Sequence, residues 1–138
     1  MAIELSFEIL EGDFSLAGKA SSKIKKMLKQ LNVDAKIIKR IVVAIYEAEV
    51  NVVAHSYGGN LQVKIDEKKI EVTVTDRGPG IENIEQAMKA GYSTASKKVR
   101  EMGFGAGMGL PNIRKNTDEL EITSKPGGST TLFIRNFL

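Results

Sequence analysis

The sequence has no cysteine, no tryptophan and a single histidine among its 138 residues. Without cysteine there is neither a disulfide framework nor a thiolate metal site, and one histidine argues against a zinc centre. The most apolar stretch of the chain is interrupted by Glu47, Glu49 and Asn51, so it does not read as a membrane span. These absences exclude several classes of protein before any motif is considered.

Charge is also slight. The net charge is +3, with 42% hydrophobic and 27% charged residues, which is ordinary for a globular protein. Lysines cluster in residues 19–29 and 97–100, but no aromatic residues are interleaved with them, so nucleic-acid binding is weakly supported. The first residues alternate between polar and apolar, which is not typical of a signal peptide. We expect one domain covering residues 1–138, in the cytoplasm.

Apolar and polar residues alternate over residues 3–9, which predicts a half-buried strand. A helix follows, and we expect Asp13 or Ser15 to cap it and Asn32 to lie near its end. Its other face is rich in lysine, which is typical of a solvated surface or, alternatively, of a docking surface for a partner. Its apolar face repeats every three or four residues, at Leu16, Ala20, Ile24, Met27, Leu28 and Leu31.

The longest predicted helix organises the rest of the chain. Asp34 is its expected N-cap, and its apolar periodicity continues to about Ser56. Two alternating segments, residues 61–65 and 70–74, then predict a hairpin that leads directly into Asp76.

The second half of the chain is less regular. It contains a short helical stretch at residues 83–90, and then residues 91–106, which are polar, basic and rich in glycine and which we interpret as a mobile lid. Residues 108–116 predict a helix with Pro111 in its first turn, and a final strand pair surrounds residues 126–128. This order of elements predicts an α+β fold, a two-layer α/β sandwich with a mixed sheet covered by three helices on one face.

The long helix carries a short polar stripe. Glu47, Asn51 and His55 are four residues apart, so each is turned by only about 40° from the last. Polar groups at the edge of a core need partners. They form either a polar edge bonded to solvent and loops, or part of a ligand site. The two glycine-rich turns that follow favour a pocket for a nucleotide and magnesium.

The first turn is Asp76-Arg77-Gly78-Pro79-Gly80. A carboxylate at the end of a strand can accept a hydrogen bond from an exocyclic amine such as that of adenine. Gly78 and Gly80 have no Cβ, so backbone and ligand can approach closely. Taken by itself, the motif is equally consistent with a plain turn.

The second turn contains Gly105, Gly107 and Gly109 and precedes a helix. A helix N-terminus offers free N–H groups and a positive dipole, which suit phosphate. The run follows no strand directly and lies in no βαβ unit, so it is not the dinucleotide motif, and no Gly-Lys-Ser/Thr follows, so it is not a P-loop. A flexible loop is the alternative.

Two residues of the polar stripe have the chemistry for phosphoryl transfer. Asn51 can offer its amide oxygen to Mg²⁺, which keeps several waters and bridges phosphates. Glu47, one turn away, can deprotonate a hydroxyl or water that attacks the γ-phosphate. In the predicted lid, Lys97, Lys98 and Arg100 are candidates for phosphate contact, although a solvated loop explains them equally well.

Four segments in order resemble one superfamily. E-A-E-V-N-V-V-A-H, D-R-G-P-G-I, G-A-G-M-G-L and S-T-T-L resemble the N, G1 and G2 boxes and the final strand of the GHKL ATPases. The Glu-x-x-x-Asn-x-x-x-His helix is similar to that of the anti-sigma-factor serine/threonine kinases of bacterial sporulation and stress switches. The segment G-A-G-M-G-L-P-N-I-R-K-N-T-D-E-L-E-I is most similar to the stressosome-type kinases of that group.

The resemblance implies the Bergerat fold, binding of ATP and Mg²⁺, and a set of site residues. By position, Glu47 matches the general base, Asn51 the magnesium ligand and Asp76 the adenine-binding aspartate. Glu49 lies about 200° around the helix from Glu47 and is expected to face elsewhere. The remaining ATP-binding candidates are Gly78, Gly80, Ile81, Gly105, Ala106, Gly107, Met108, Gly109, Leu110 and Thr130.

The function that the resemblance implies is an ATP-dependent serine/threonine protein kinase. It would transfer the γ-phosphate to a small antagonist protein or a stressosome-type substrate and switch protein partners, with a sigma factor among them and a homodimer as the implied assembly. The alternative is a non-catalytic, nucleotide-dependent module that sequesters a sigma factor. A plain ATPase is a further alternative, and a sensor histidine kinase is disfavoured because the only histidine, His55, lies in the ATP helix itself.

Overall fold

The computed structural model describes residues 2–13, 17–78, 88, 109–125 and 127–138. The predicted helical stretch at residues 83–90, apart from Met88, and the predicted lid at residues 91–106 lie outside the described residues.

Three helices and five strands make up the described part of the chain. The helices are α1 (Lys19–Gln30), α2 (Ala35–His55) and α3 (Gly109–Lys115). The strands are β1 (Ile3–Ile9), β2 (Gly59–Ile65), β3 (Lys69–Asp76), β4 (Glu119–Ser124) and β5 (Thr130–Phe137). No helix among these described residues is long and apolar enough to cross a membrane.

The five strands form one sheet in the order β1-β2-β3-β5-β4. The two-layer α+β prediction is confirmed, but the predicted mixed sheet is wrong, because all four pairings are antiparallel. β4 does run in the same direction as β3, as a strand after a crossover often does. The β4–β5 hairpin folds so that β5 lies between β3 and β4, and the strands that the structure describes include no parallel pair.

The two faces of the sheet differ sharply in character. On the inner face Val72 lies between Val63 and Ile134, and each of these three side chains is at most 2% exposed. Apolar residues of α1, α2 and α3 complete the same core, so the helices cover this face. On the outer face Arg135 donates to Glu71 at 2.7 Å and also pairs with Glu119. Alternation along each strand therefore separates core from surface.

The start of α1 corrects one prediction. Neither Asp13 nor Ser15 is the N-cap: that position is Gly18, which has φ 97° and no side chain to cap the helix. A carboxylate from α2 takes this role. Glu49 accepts hydrogen bonds from the backbone N–H groups of Gly18 (3.1 Å), Ala20 (3.2 Å) and Ser21 (2.8 Å). A cap supplied across the fold leaves no local sequence signal.

The ends of α2 agree with the sequence prediction. Asp34 is the N-cap, and its carboxylate accepts a hydrogen bond from the N–H of Lys36 at 2.8 Å. The helix runs to His55, with Ser56 as its C-cap. The end of α2 meets the turn after β3, where the hydroxyl of Ser56 donates to the carbonyl of Gly78.

Candidate functional site

The described residues include about half of the predicted site. Glu47, Asn51, Asp76, Gly78, Gly109, Leu110 and Thr130 are among them. The others lie outside the described residues: Gly80, Ile81, Lys97, Lys98, Arg100, Gly105, Ala106, Gly107 and Met108. The structure thus locates the helix, the aspartate and the final strand of the site.

Asp76, the last residue of β3, has one carboxylate oxygen engaged by backbone. Its Oδ1 accepts hydrogen bonds from the N–H of Gly78 and from the N–H of Thr130, both at 2.9 Å. Within the described part of the chain no donor reaches Oδ2. The two amides fix the plane of the carboxylate, and the second oxygen is left to accept a hydrogen bond from a ligand amine.

Gly78 connects this aspartate to the end of α2. Its carbonyl accepts hydrogen bonds from the hydroxyl of Ser56 at 2.8 Å and from the N–H of Tyr57 at 2.9 Å. It has φ 104°, and a Cβ here would lie 2.9 Å from the carbonyl oxygen of Gly128. Glycine is therefore required by both conformation and space, and the predicted turn and the predicted helix form one structural unit.

Thr130 is brought to Asp76 by the β4–β5 hairpin. It is 8% exposed, and its hydroxyl oxygen lies 2.7 Å from that of Ser124, its partner across the hairpin. Sequence reasoning missed Ser124. Its position directly opposite Thr130 in the register is the signal that would have identified it.

Asn51 lies against the first residue of α3. A Cβ on Gly109 would lie 2.9 Å from the amide oxygen of Asn51, so any larger residue here would push that side chain aside. The next residue, Leu110, is 9% exposed, and its side chain packs in the core. The structure therefore places Asn51 and Gly109, both ATP-binding candidates from the sequence, in contact, with Leu110 buried beside them.

Glu47 is half-buried on the same side of α2. Its Oε1 accepts a long hydrogen bond, 3.4 Å, from the side-chain amide of Asn112 in α3. Sequence reasoning did not single out Asn112, although it lies in the first turn of the helix after the glycine run. The half-buried positions of Glu47, Asn51 and His55 agree with the polar stripe predicted from their spacing.

The donor set bears on which metal would fit. No group of three or more histidine, cysteine, aspartate or glutamate side chains comes together among the residues that the structure describes. Zn²⁺ and Ca²⁺ are usually held by such groups, whereas Mg²⁺ takes few protein ligands and fills its shell with water and phosphate oxygens. A single carboxamide oxygen from Asn51 fits Mg²⁺ delivered with a nucleotide.

Comparison with known proteins identifies relatives that span most of the chain. The family model described as "Histidine kinase-like ATPase domain" matches residues 12–135. An anti-sigma F factor from Thermoanaerobacter sp. (strain X514) is 32% identical over 124 residues, which is 86% of this chain and 83% of that protein.

Two solved structures have the same fold. The RsbU and RsbW domains of a Mycobacterium tuberculosis protein superpose with a TM-score of 0.65 at 19% identity, over 97% of this chain and 32% of that one. The SiaB-SiaC complex from Pseudomonas aeruginosa gives a TM-score of 0.55 at 15% identity, over 97% of this chain and 89% of that one. At these identities the likeness is one of fold.

Proposed function

The chain belongs to the histidine kinase-like ATPase domain family and is a relative of the anti-sigma F factors. On this basis we propose that it is an ATP-dependent serine/threonine protein kinase that switches protein partners. The proposal depends on one observation: a single helix, α2, connects the pair Glu47 and Asn51 to the turn that holds Asp76. α2 holds Glu47 and Asn51, and the two residues that follow it, Ser56 and Tyr57, bond to the turn that presents Asp76.

Asp76 supplies the recognition of the base. Its Oδ1 is saturated by two backbone amides, and its Oδ2 faces no donor from the described residues. The exocyclic amine of adenine is a donor, whereas guanine carries a carbonyl oxygen at the corresponding position. A carboxylate oxygen therefore favours ATP over GTP.

Asn51 would hold Mg²⁺ through its amide oxygen, close to where Gly109 begins α3. When bound, this ion neutralises charge on the phosphates. The absence of a Cβ at Gly109 leaves the amide its space. We propose the same ATP-binding role for Gly78, Leu110 and Thr130, and for the predicted residues that lie outside the described part of the chain.

Glu47 is the proposed general base. The hydroxyl oxygen of the acceptor serine or threonine forms a bond to the γ-phosphorus as the bond from that phosphorus to the β–γ bridging oxygen breaks. ADP leaves, and the hydroxyl proton passes to the Glu47 carboxylate. The half-buried position of Glu47, one helical turn from Asn51, supports this role.

The proposed substrate is a small antagonist protein, and the partner that alternates with it is a sigma factor, by analogy with the anti-sigma F relative. A phosphoryl group adds roughly −1.5 to −2 charge at neutral pH, which is enough to release a docked partner or create a new contact. We propose that this cycle runs in the cytoplasm, where ATP and sigma factors meet.

The test uses γ-labelled ATP, Mg²⁺ and the antagonist protein of a sigma factor from the same organism. Wild type should transfer label to a serine or threonine of the antagonist, and Glu47→Ala should bind Mg-ATP without transferring label. Antagonist that stays unlabelled while wild type still holds the sigma factor in an ATP-dependent way would instead favour a non-catalytic sequestering module.

A further inference from the structure

We propose that Asn112 is a positioning residue that orients the carboxylate of Glu47 for proton transfer. The inference rests on the proposed function, since it concerns the base of that reaction. The side-chain amide of Asn112 donates to Oε1 of Glu47 at 3.4 Å, across the contact between α3 and α2. Within the described part of the chain no other donor reaches the Glu47 carboxylate.

A glutamate side chain has three rotatable bonds, and a half-buried one can point toward or away from a ligand. The donor on Oε1 favours one orientation of the side chain and leaves Oε2 to take the proton. Proton transfer requires the base to lie within hydrogen-bond reach of the acceptor hydroxyl. Holding the carboxylate in one orientation therefore raises the fraction of encounters that react.

Asn112 can do this only if α3 itself is fixed, and a row of carboxamides fixes it. The side-chain amide of Asn116 donates to the carbonyl of Asn112 at 2.8 Å. The side-chain amide of Asn136, on β5, donates to the carbonyl of Asn116 at 2.9 Å. Asn136 is 1% exposed, so this link between the sheet and the end of α3 is shielded from water.

The opposite end of α3 is held by packing. Gly109 lies against the amide of Asn51, and Ile113, one residue after Asn112, is fully buried in the core. These contacts fix both the position of α3 along its axis and its rotation about that axis. With the rotation fixed, the side chain of Asn112 is aimed at α2, four residues before the Asn116 link.

The experiment compares two quantities in wild type, Asn112→Asp and Asn112→Leu: turnover, measured as transfer of label from γ-labelled Mg-ATP to the antagonist protein, and calorimetric binding of Mg-ATP. Both remove the amide donor, and Asn112→Asp also keeps the side-chain volume. We expect turnover to fall at least tenfold with the Kd for Mg-ATP within twofold of wild type. Lys115→Gln, a change to an exposed residue of the same helix, is the matched control and should keep wild-type turnover.

A melting cycle tests the contact without nucleotide. The melting temperatures of Asn112→Leu, Glu47→Ala and the double variant are compared. The loss in the double variant should be smaller than the sum of the two single losses, because each single variant already removes the same contact. In the Glu47→Ala background, Asn112→Leu should lower residual turnover by no more than twofold.

Two failures are distinguishable. A wild type that neither binds nor turns over Mg-ATP overturns the proposed function. Wild-type turnover that persists in both Asn112 variants, or a Kd that rises in step with the loss of turnover, overturns the positioning role while leaving the kinase proposal intact. Additive melting losses would likewise show that the two side chains are not coupled.

Discussion

Two carboxylates on α2 are separated by one residue and serve different regions of the molecule. Glu49 is 3% exposed, and both of its oxygens accept hydrogen bonds from backbone N–H groups at the start of α1. Glu47 is half-buried and accepts one long hydrogen bond from Asn112. Both oxygens of the first carboxylate are bonded by the fold, whereas no donor from the described residues reaches Oε2 of the second. The two glutamates lie on the same helix, so the difference lies in the hydrogen-bond donors that surround them.

The region around Glu49 also explains how α1 begins. Its N-cap is a glycine with no side chain, so the first N–H groups of the helix need an acceptor from elsewhere. Negative charge at this end is further favoured by the helix dipole. Glu49 meets both needs and ties α1 to the helix that carries the candidate site.

The largest expected effect is a loss of activity when Glu47, but not Glu49, is replaced. Glu47→Ala should lower the rate of phosphoryl transfer by about 10²- to 10⁴-fold, the usual contribution of a general base. Its melting temperature should fall by only a few degrees, because the variant loses a single long, half-buried hydrogen bond, the one from Asn112. Labelled-ATP transfer and thermal unfolding measure the two quantities. A variant with wild-type transfer would remove Glu47 from the mechanism.

Glu49→Ala should show the reverse pattern. It leaves three N–H groups at a helix start without their acceptor, and the free energy of unfolding should fall by about 3 kcal/mol. Glu49→Gln keeps one acceptor oxygen and should lose less. Urea unfolding provides the measurement. A loss under about 0.5 kcal/mol, the size expected for a surface position, would contradict the capping role.

Gly109→Ala tests the region around Glu47, through its neighbour Asn51. The new Cβ would meet the amide oxygen of Asn51 at 2.9 Å and displace it. We expect Mg-ATP binding to weaken about tenfold, roughly 1.4 kcal/mol. The same titration in excess EDTA is the control, and the weakening should largely disappear there. Equal weakening with and without Mg²⁺ would argue against Asn51 as the magnesium ligand.

The smallest effect concerns a carboxylate remote from both regions. The N–H of Phe137, and then Arg40, stabilise the charged form of Asp118 and lower its pKa below the ordinary value of 3.8. Its contribution to stability is therefore present above pH 3.8 and is lost as the pH falls through the lower, folded-state pKa.

Asp118→Asn should thus be less stable than wild type by about 0.5 to 1 kcal/mol at pH 7, as for other exposed ion pairs. The difference should vanish in unfolding experiments carried out well below pH 3.8. A difference that stayed constant over this range would mean that the charge on Asp118 is not its source.

Local patterns predicted what depends on local physics. Alternation predicted the strands, and helical periodicity with Asp34 predicted α2 to within a residue of its end. The spacing of Glu47 and Asn51 predicted one shared side of α2. Asp76 and Gly78 were proposed from their turn, because a carboxylate beside glycine has a recognisable chemistry, and the structure joins that turn to the end of α2.

What the sequence did not predict depends on contacts between distant segments. Glu49 caps a helix that begins 30 residues before it, so no window of sequence contains both partners. The link from Asn136 to Asn116 likewise requires the sheet and α3 to be in place. The antiparallel sheet follows from which arm of the last hairpin lies beside β3, and propensity does not determine that choice.

The central claim is that Asp76 forms an adenine pocket next to the helix that carries Glu47, and calorimetric titration of Mg-ATP into wild type and Asp76→Asn tests it most directly. The variant keeps one oxygen for the two backbone amides but presents an NH₂ group where Oδ2 was, so donor would face donor. We predict binding to wild type and none to a variant with an unchanged melting temperature. Equal binding to both proteins, or no binding to wild type, would contradict the claim.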